Sequence, residues 1–266
     1  MNRGVSRRPL LGLLIPAAVA VLFIVLPLIG LLVHVDWSNL PAEISAPDVL
    51  TALRLSLECS LIAVAIALVI GVPLAYLIAR TSLPGRRIMR ALVTLPLVLP
   101  PVVGGIALQA AFGKTTPIGA VLDHFGIVLP FSTAGAAMAE AFVGFPFLVV
   151  TVDAALRQRD DHHEEVAATL GARPWRRFWR VTVPLAAPSI AAGAALCWAR
   201  ALGEFGATIT FAGSFPGTTE TLPIAAYSSF EGSGQVGMAI TLSLLLLAIS
   251  VLVLVVLRDR WLGALR

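Results

Sequence analysis

The sequence predicts an all-α membrane protein built on six transmembrane helices, and three observations carry that prediction. Of its 266 residues, 58% are hydrophobic and 13% charged, against roughly 45–50% and about 25% in an average soluble domain. A globule of this size cannot bury such a surplus, so much of the surface needs a bilayer, and a soluble enzyme is excluded. Uncharged runs of spanning length recur along the chain, each near the roughly 20 residues that cross a hydrocarbon core of about 30 Å. Finally, the basic residues crowd into alternate loops, as the positive-inside rule demands.

The first span covers about 10–33. Ser6, Arg7, Arg8, Pro9 and Leu10 faintly resemble a twin-arginine signal, and Ala18, Val19, Ala20 a cleavage site. The apolar run is too long for a signal core of about 7–15 residues, so it reads as a retained span, kinked late by Pro27. The second span, about 57–79, surrounds the uncharged run 59–79, and the third occupies about 91–113. The fourth, about 133–156, carries Glu140 and Asp153 around a stretch, 142–152, of apolar or small residues. The fifth lies at about 183–211, with its uncharged run at 181–199, and the sixth at about 235–257 within the run 232–257.

Sorting the cations by loop gives the orientation. Arg3, Arg7 and Arg8 precede the first span, and Arg80, Arg86, Arg87 and Arg90 separate the second from the third. Arg157, Arg159, Arg173, Arg176, Arg177 and Arg180 lie between the fourth and fifth, and Arg258, Arg260 and Arg266 follow the sixth. The other side holds only Arg54 and Lys114, with Arg200 inside the fifth span. Both termini are therefore expected in the cytoplasm, and the formal charge of +4 belongs to membrane topology rather than to a nucleic-acid partner. Cys59 and Cys197, both within apolar stretches, read as small core hydrophobes.

Three motifs imitate chemistry without its context. Gly113, Lys114 and Thr115 match the end of a phosphate-binding loop, but Leu108 stands where that motif needs its first glycine. Gly232 to Gly237 fit a dinucleotide fingerprint, yet no strand precedes them and they open the sixth span. No nucleotide site, cofactor or metal centre is expected, so any ATP-driven work must come from another polypeptide. The run Asp160, Asp161, His162, His163, Glu164, Glu165 reads as a solvated acidic start to a helix, with Asp160 or Asp161 as its cap, because neighbours in a helix point in different directions. Trp37, Trp175, Trp179 and Trp261 flank spans as interfacial anchors.

The longest basic loop, 157–182, contains a short amphipathic helix predicted from about His162 to Leu170. Gly171 is able to end it at positive φ, and Pro174 blocks its continuation. Ala167 and Ala168 leave its surface flat enough for close approach by a partner.

Glu165, Ala168 and Gly171, followed by Val181, Val183 and Pro184, resemble the EAA loop of permease subunits of bacterial ATP-binding-cassette importers, with Val166 departing from the usual alanine. The resemblance implies a type I importer permease in the bacterial inner membrane. It also implies coupling to a cytoplasmic ATPase dimer through Glu165, Ala168 and Gly171. A second copy of the chain and an extracytoplasmic binding protein would complete the assembly.

The stretch from Ala199 to Phe211 and the loop Pro216, Gly217, Thr218, Thr219, Glu220, Thr221, Leu222, Pro223 resemble the fifth span and outer loop of molybdate permeases. Sulfate permeases share the Arg-x-x-Gly-Glu-Phe-Gly core, so that part alone implies only a tetrahedral oxyanion. The function so implied is uptake of molybdate or tungstate. The alternatives are a sulfate or thiosulfate permease and an ion-coupled secondary transporter, which would show inverted repeats.

Arg200 and Glu204 are four residues apart on one helix face, where each neutralises the other. Ionisable groups at membrane depth are functional-site candidates by default. Three readings stay open for the set Arg200, Gly203, Glu204, Gly206 and Thr208: an ion pair that fixes packing, the lining of a gate, or direct contact with the anion. Gly203 and Gly206 are expected to thin the helix so that another helix comes close.

Overall fold

The computed structural model describes residues 11–160, 162–232 and 235–264. Residues 1–10, with Arg3, Arg7, Arg8 and the twin-arginine-like stretch, lie outside that description. So do Asp161, Gly234 of the glycine pattern, Arg266, and the side chains of Arg258, Arg260 and Trp261.

Twelve helices follow one another among the described residues: α1 (Leu11–Val33), α2 (Leu40–Ile44), α3 (Pro47–Arg80), α4 (Arg86–Val98), α5 (Pro101–Phe112), α6 (Pro117–His124), α7 (Thr133–Gln158), α8 (His162–Thr169), α9 (Pro174–Leu202), α10 (Gly206–Ala212), α11 (Leu222–Glu231) and α12 (Val236–Ala264). Five of them, α1, α3, α7, α9 and α12, are long and apolar enough to cross a membrane. The third predicted span is divided. Leu99 and Pro100 adopt extended backbone between α4 and α5, because a proline cannot continue a helix and restricts the residue before it, while Pro101 is free to open the next one.

Two spans begin earlier than their uncharged runs. Pro47 starts α3, and Arg54 and Glu58 one turn apart pair at 2.6 Å on its surface, so neither charge stops the helix. Pro174 starts α9, two turns ahead of the expected span, and one wide π-turn, Phe178–Thr182, lies within it. A second wide turn, Ala67–Gly71, interrupts α3.

α7 is the centre of the bundle and packs most extensively against α9 and α3. Leu148, Val149 and Val152 sit in a buried cluster with Ala67, Ala75, Ile78 and Cys197. Hydrocarbon tails are as apolar as these side chains, so close van der Waals contact rather than water exclusion holds such helices together. Small residues permit it: a Cβ on Gly144 would lie 3.0 Å from the Cys197 carbonyl, and one on Gly193 would lie 3.2 Å from the Leu148 Cα. Both cysteines are free and buried.

Contacts sort the loops into two ends. At the basic end Arg90 grips Asp153 through two hydrogen bonds of 3.1 and 3.2 Å, and Arg157 holds the same carboxylate at 3.0 Å. At the opposite end the Thr133 hydroxyl donates to the Thr218 carbonyl at 2.8 Å, and the Ser56 hydroxyl accepts from the Leu222 N–H at 2.7 Å. No residue in the most apolar window of α1 is buried within this single chain.

Candidate functional site: two interrupted spans and a basic-end elbow

The fifth predicted span is interrupted as the third is. α9 ends at Leu202, Gly203 caps it, and α10 begins at Gly206. Glu204 makes the break tenable. Its backbone N–H returns to the Ala201 carbonyl at 2.9 Å, while its side chain serves two partners. Oε2 lies 2.6 Å from Nη2 of Arg200, and Oε1 accepts the Ala207 N–H at 2.8 Å, satisfying a donor at the start of α10. The Glu204 side chain is 1% exposed and that of Arg200 30% exposed, so the pair joins a sealed carboxylate to a guanidinium that reaches the surface.

The interruptions in the two spans meet. A Cβ on Gly206 would lie 2.7 Å from the Pro101 Cβ, and one on Gly105 would lie 2.7 Å from the Thr210 Cβ and 2.8 Å from the Ala207 carbonyl oxygen. α10 is thus laid on α5 backbone to backbone. Irregular backbone at membrane depth is tolerated only where protein or a wet cavity shelters it, and paired broken helices of this kind mark transport pathways. Thr208 is fully buried, with a hydroxyl that has no hydrogen-bond partner among the described residues. Glu140 of α7 is as buried as Glu204, and its Oε2 likewise has none.

Arg200, Glu204, Gly206 and Thr208 therefore lie on the two sides of one break within the span expected over about 183–211. Gly206 is the close-approach glycine. Gly203 is not: the nearest atom to its notional Cβ is the Ala199 carbonyl oxygen at 3.7 Å within its own helix, and its place is the cap of α9. Toward the C-terminal end of α5, a cavity of about 540 Å³ is lined by Gln109, Lys114, Thr115, Thr116 and Thr210 of α10 among others. There the segment 113–116 is a turn whose Thr116 hydroxyl caps α6 by accepting the Gly119 N–H at 3.0 Å.

The second predicted set lies on the elbow between α7 and α9. Asp160 Oδ1 accepts the His162 N–H at 3.3 Å at the start of α8. Gly171 takes φ +81° just past its end, and Pro174 opens α9. Glu165, Ala168 and Gly171 are exposed, and no residue of α8 is buried. One acidic residue departs from the solvated start expected of this run. Glu164 turns inward, with its Oε1 3.6 Å from Nε of Arg80 on α3. Trp175 and Trp179 flank the elbow, each packed against Phe178.

A model of a family described as "Binding-protein-dependent transport system inner membrane component" matches residues 67–265. The chain is 44% identical over 237 residues to a protein of Mycobacterium tuberculosis named "Molybdenum transport system permease protein ModB", covering 89% of this chain and 90% of that protein. It is 37% identical over 205 residues to the "Sulfate transport system permease protein CysW" of a Synechocystis species, covering 76% and 74%. Among solved structures, a chain of a bacterial ABC transporter involved in import of the acidic polysaccharide alginate superposes with a TM-score of 0.76 at 16% identity, over 94% of this chain and 93% of that one. That likeness shows the fold of an importer permease.

Proposed function

Because the chain belongs to the family of binding-protein-dependent transport system inner-membrane components, we propose that it is the multi-pass permease of an importer for molybdate. The observation that carries the substrate is the similarity to the molybdenum permease, greater in identity and in coverage than that to the sulfate permease. The basic end, with Arg80, Arg90, Arg157 and the α8 elbow, is the cytoplasmic side. A separate ATPase docks on the exposed face of α8 that presents Glu165, Ala168 and Gly171. A binding protein delivers the anion at the opposite end, and two copies of the chain enclose the passage. ATP hydrolysis belongs to the partner subunit.

The junction of α5, α9 and α10 is the gate. A permease has to release what it accepts, so the passage should shield a dianion without holding it tightly. An Arg200 already matched by Glu204 meets that requirement, since it offers little net charge. ATP binding to the partner then biases two packings of these helices.

Uptake of labelled molybdate by cells dependent on this protein, with tungstate and sulfate as competitors, tests the reading. Molybdate uptake should resist an equal concentration of sulfate and yield to tungstate, which has nearly the same size and charge. Sulfate winning at equal concentration would overturn the substrate, and uptake independent of any ATPase would overturn the importer.

A further inference from the structure

α8 is only eight residues long, too short to be stable by itself, and none of its residues is buried. Something outside the helix must set its direction. The grip comes from the last turn of α3. Glu164 and Arg80 meet with side chains only 14% and 10% exposed. The Tyr76 hydroxyl donates to the second oxygen of the same carboxylate at 3.5 Å. Arg80 also donates from Nη2 to the Arg159 carbonyl at 3.3 Å, just ahead of α8. Tyr76 and Arg80 are one turn apart and so share a face of α3. The Tyr76 ring packs edge-on against Phe178 at 5.0 Å, which fixes it relative to the start of α9.

The first half of α3 is tied to different elements. Ser60 accepts the Trp198 indole N–H at 2.9 Å, two residues before Arg200, and Ser56 accepts the Leu222 N–H. One helix, unbroken in path although widened at Ala67–Gly71, therefore touches α8 at the basic end and, in its first half, the segment that leads into the α9–α10 break.

We infer that Tyr76 and Arg80 are positioning residues that hold α8 through Glu164, and that α3 carries displacements of α8 to the gate. This rests on the reading that α8 docks an ATPase. Glu164 and Glu165, adjacent in sequence, have opposite duties: Glu165 faces the partner, and Glu164 ties the docked helix to its own bundle. A shared two-state element biased from both ends is the physical requirement for such coupling.

The test uses the complete importer, permease with ATPase and binding protein, in proteoliposomes, and compares Arg80→Glu, Glu164→Arg and the double exchange. Each single reversal should lower ATP-driven molybdate uptake about tenfold while ATP hydrolysis falls much less, raising the ATP spent per anion. The double exchange should bring uptake back to within about threefold of the unaltered complex, as expected for a directly interacting pair. Glu164→Gln, which keeps the shape and removes the charge, should give the same direction with a smaller loss. Single variants with an unchanged ratio of ATP to anion, or a double exchange as impaired as the singles, would overturn the inference. Failure of the unaltered complex to couple ATP to uptake would instead overturn the importer reading on which it stands.

Discussion

Removing either partner of the Arg200–Glu204 pair should destabilise the fold, and unequally. Breaking a buried ion pair by deleting one partner costs about 3–5 kcal/mol, because the survivor is left uncompensated. In Arg200→Gln the survivor is the Glu204 carboxylate, 1% exposed, which keeps only the Ala207 N–H. The full penalty applies, and about 3–4 kcal/mol is expected. In Glu204→Gln the survivor is Arg200, whose side chain is 30% exposed and retains partial access to solvent. The amide oxygen can still accept the Ala207 N–H, so about 1.5–2.5 kcal/mol is expected. Glu204→Ala also removes that cap, adding about 1 kcal/mol. The double variant Arg200→Gln, Glu204→Gln removes both charges of the pair and should cost less than the sum of the singles by about 2 kcal/mol. Reversible denaturant unfolding of the protein in micelles measures each value. Single variants indistinguishable from the parent, or Glu204→Gln more damaging than Arg200→Gln, would refute the account of a sealed carboxylate neutralised by a half-open guanidinium.

Gly105→Ala places a methyl 2.8 Å from the Ala207 carbonyl oxygen, a backbone atom that cannot turn aside, so overpacking of about 1–3 kcal/mol and a loss of uptake are expected; normal stability and transport would show that the two breaks do not touch. Asp153→Ala strips Arg90 and Arg157 of their shared partner and should cost about 2 kcal/mol in micelle unfolding. Gly171→Ala meets no atom within 4 Å but forces alanine to φ +81°, a strain of about 1 kcal/mol that Gly171→Asn should partly relieve. Its readout is retention of the ATPase during copurification, weaker for alanine than for asparagine. Glu165→Ala should leave unfolding in micelles unchanged, since the residue is exposed, and should reduce ATPase retention in the same assay.

Much of this architecture was legible in the residues, and the misses have physical causes. Hydropathy located the long helices because the bilayer reads composition directly. It overlooked the break in the third span, although Pro100 and Pro101 side by side announce it: a search for uncharged runs passes over prolines and ignores their missing N–H groups. It started α3 ten residues late because Arg54 and Glu58 look prohibitive one by one, whereas paired on one face they are tolerable. The elbow was legible down to the positive φ of Gly171, since a helix stop is local chemistry. The ion pair of Glu164 and Arg80 was not, because the partners stand far apart in the chain and only the packing of α3 against the elbow brings them together. The Glu204 cap of α10 lay between these cases: the residue stood out, but its second role required the helix to end at Leu202.

The wide turn at Ala67–Gly71 sets the phase of everything beyond it. That turn, closed by i→i+5 bonds, already holds one extra residue and could lose it with little change of phase. An α-helix advances by about 100° per residue, so the same deletion in the regular stretch beyond it would swing the tail of the rod by roughly a quarter revolution. Arg80 would then look away from α8, although neither side chain of its ion pair had been altered. Substitution of Gly71 in the wide turn would be felt as packing against Leu148 and Phe145, whereas a single deletion in the regular helix beyond it would act as a clutch, disengaging the motor while leaving the bundle assembled.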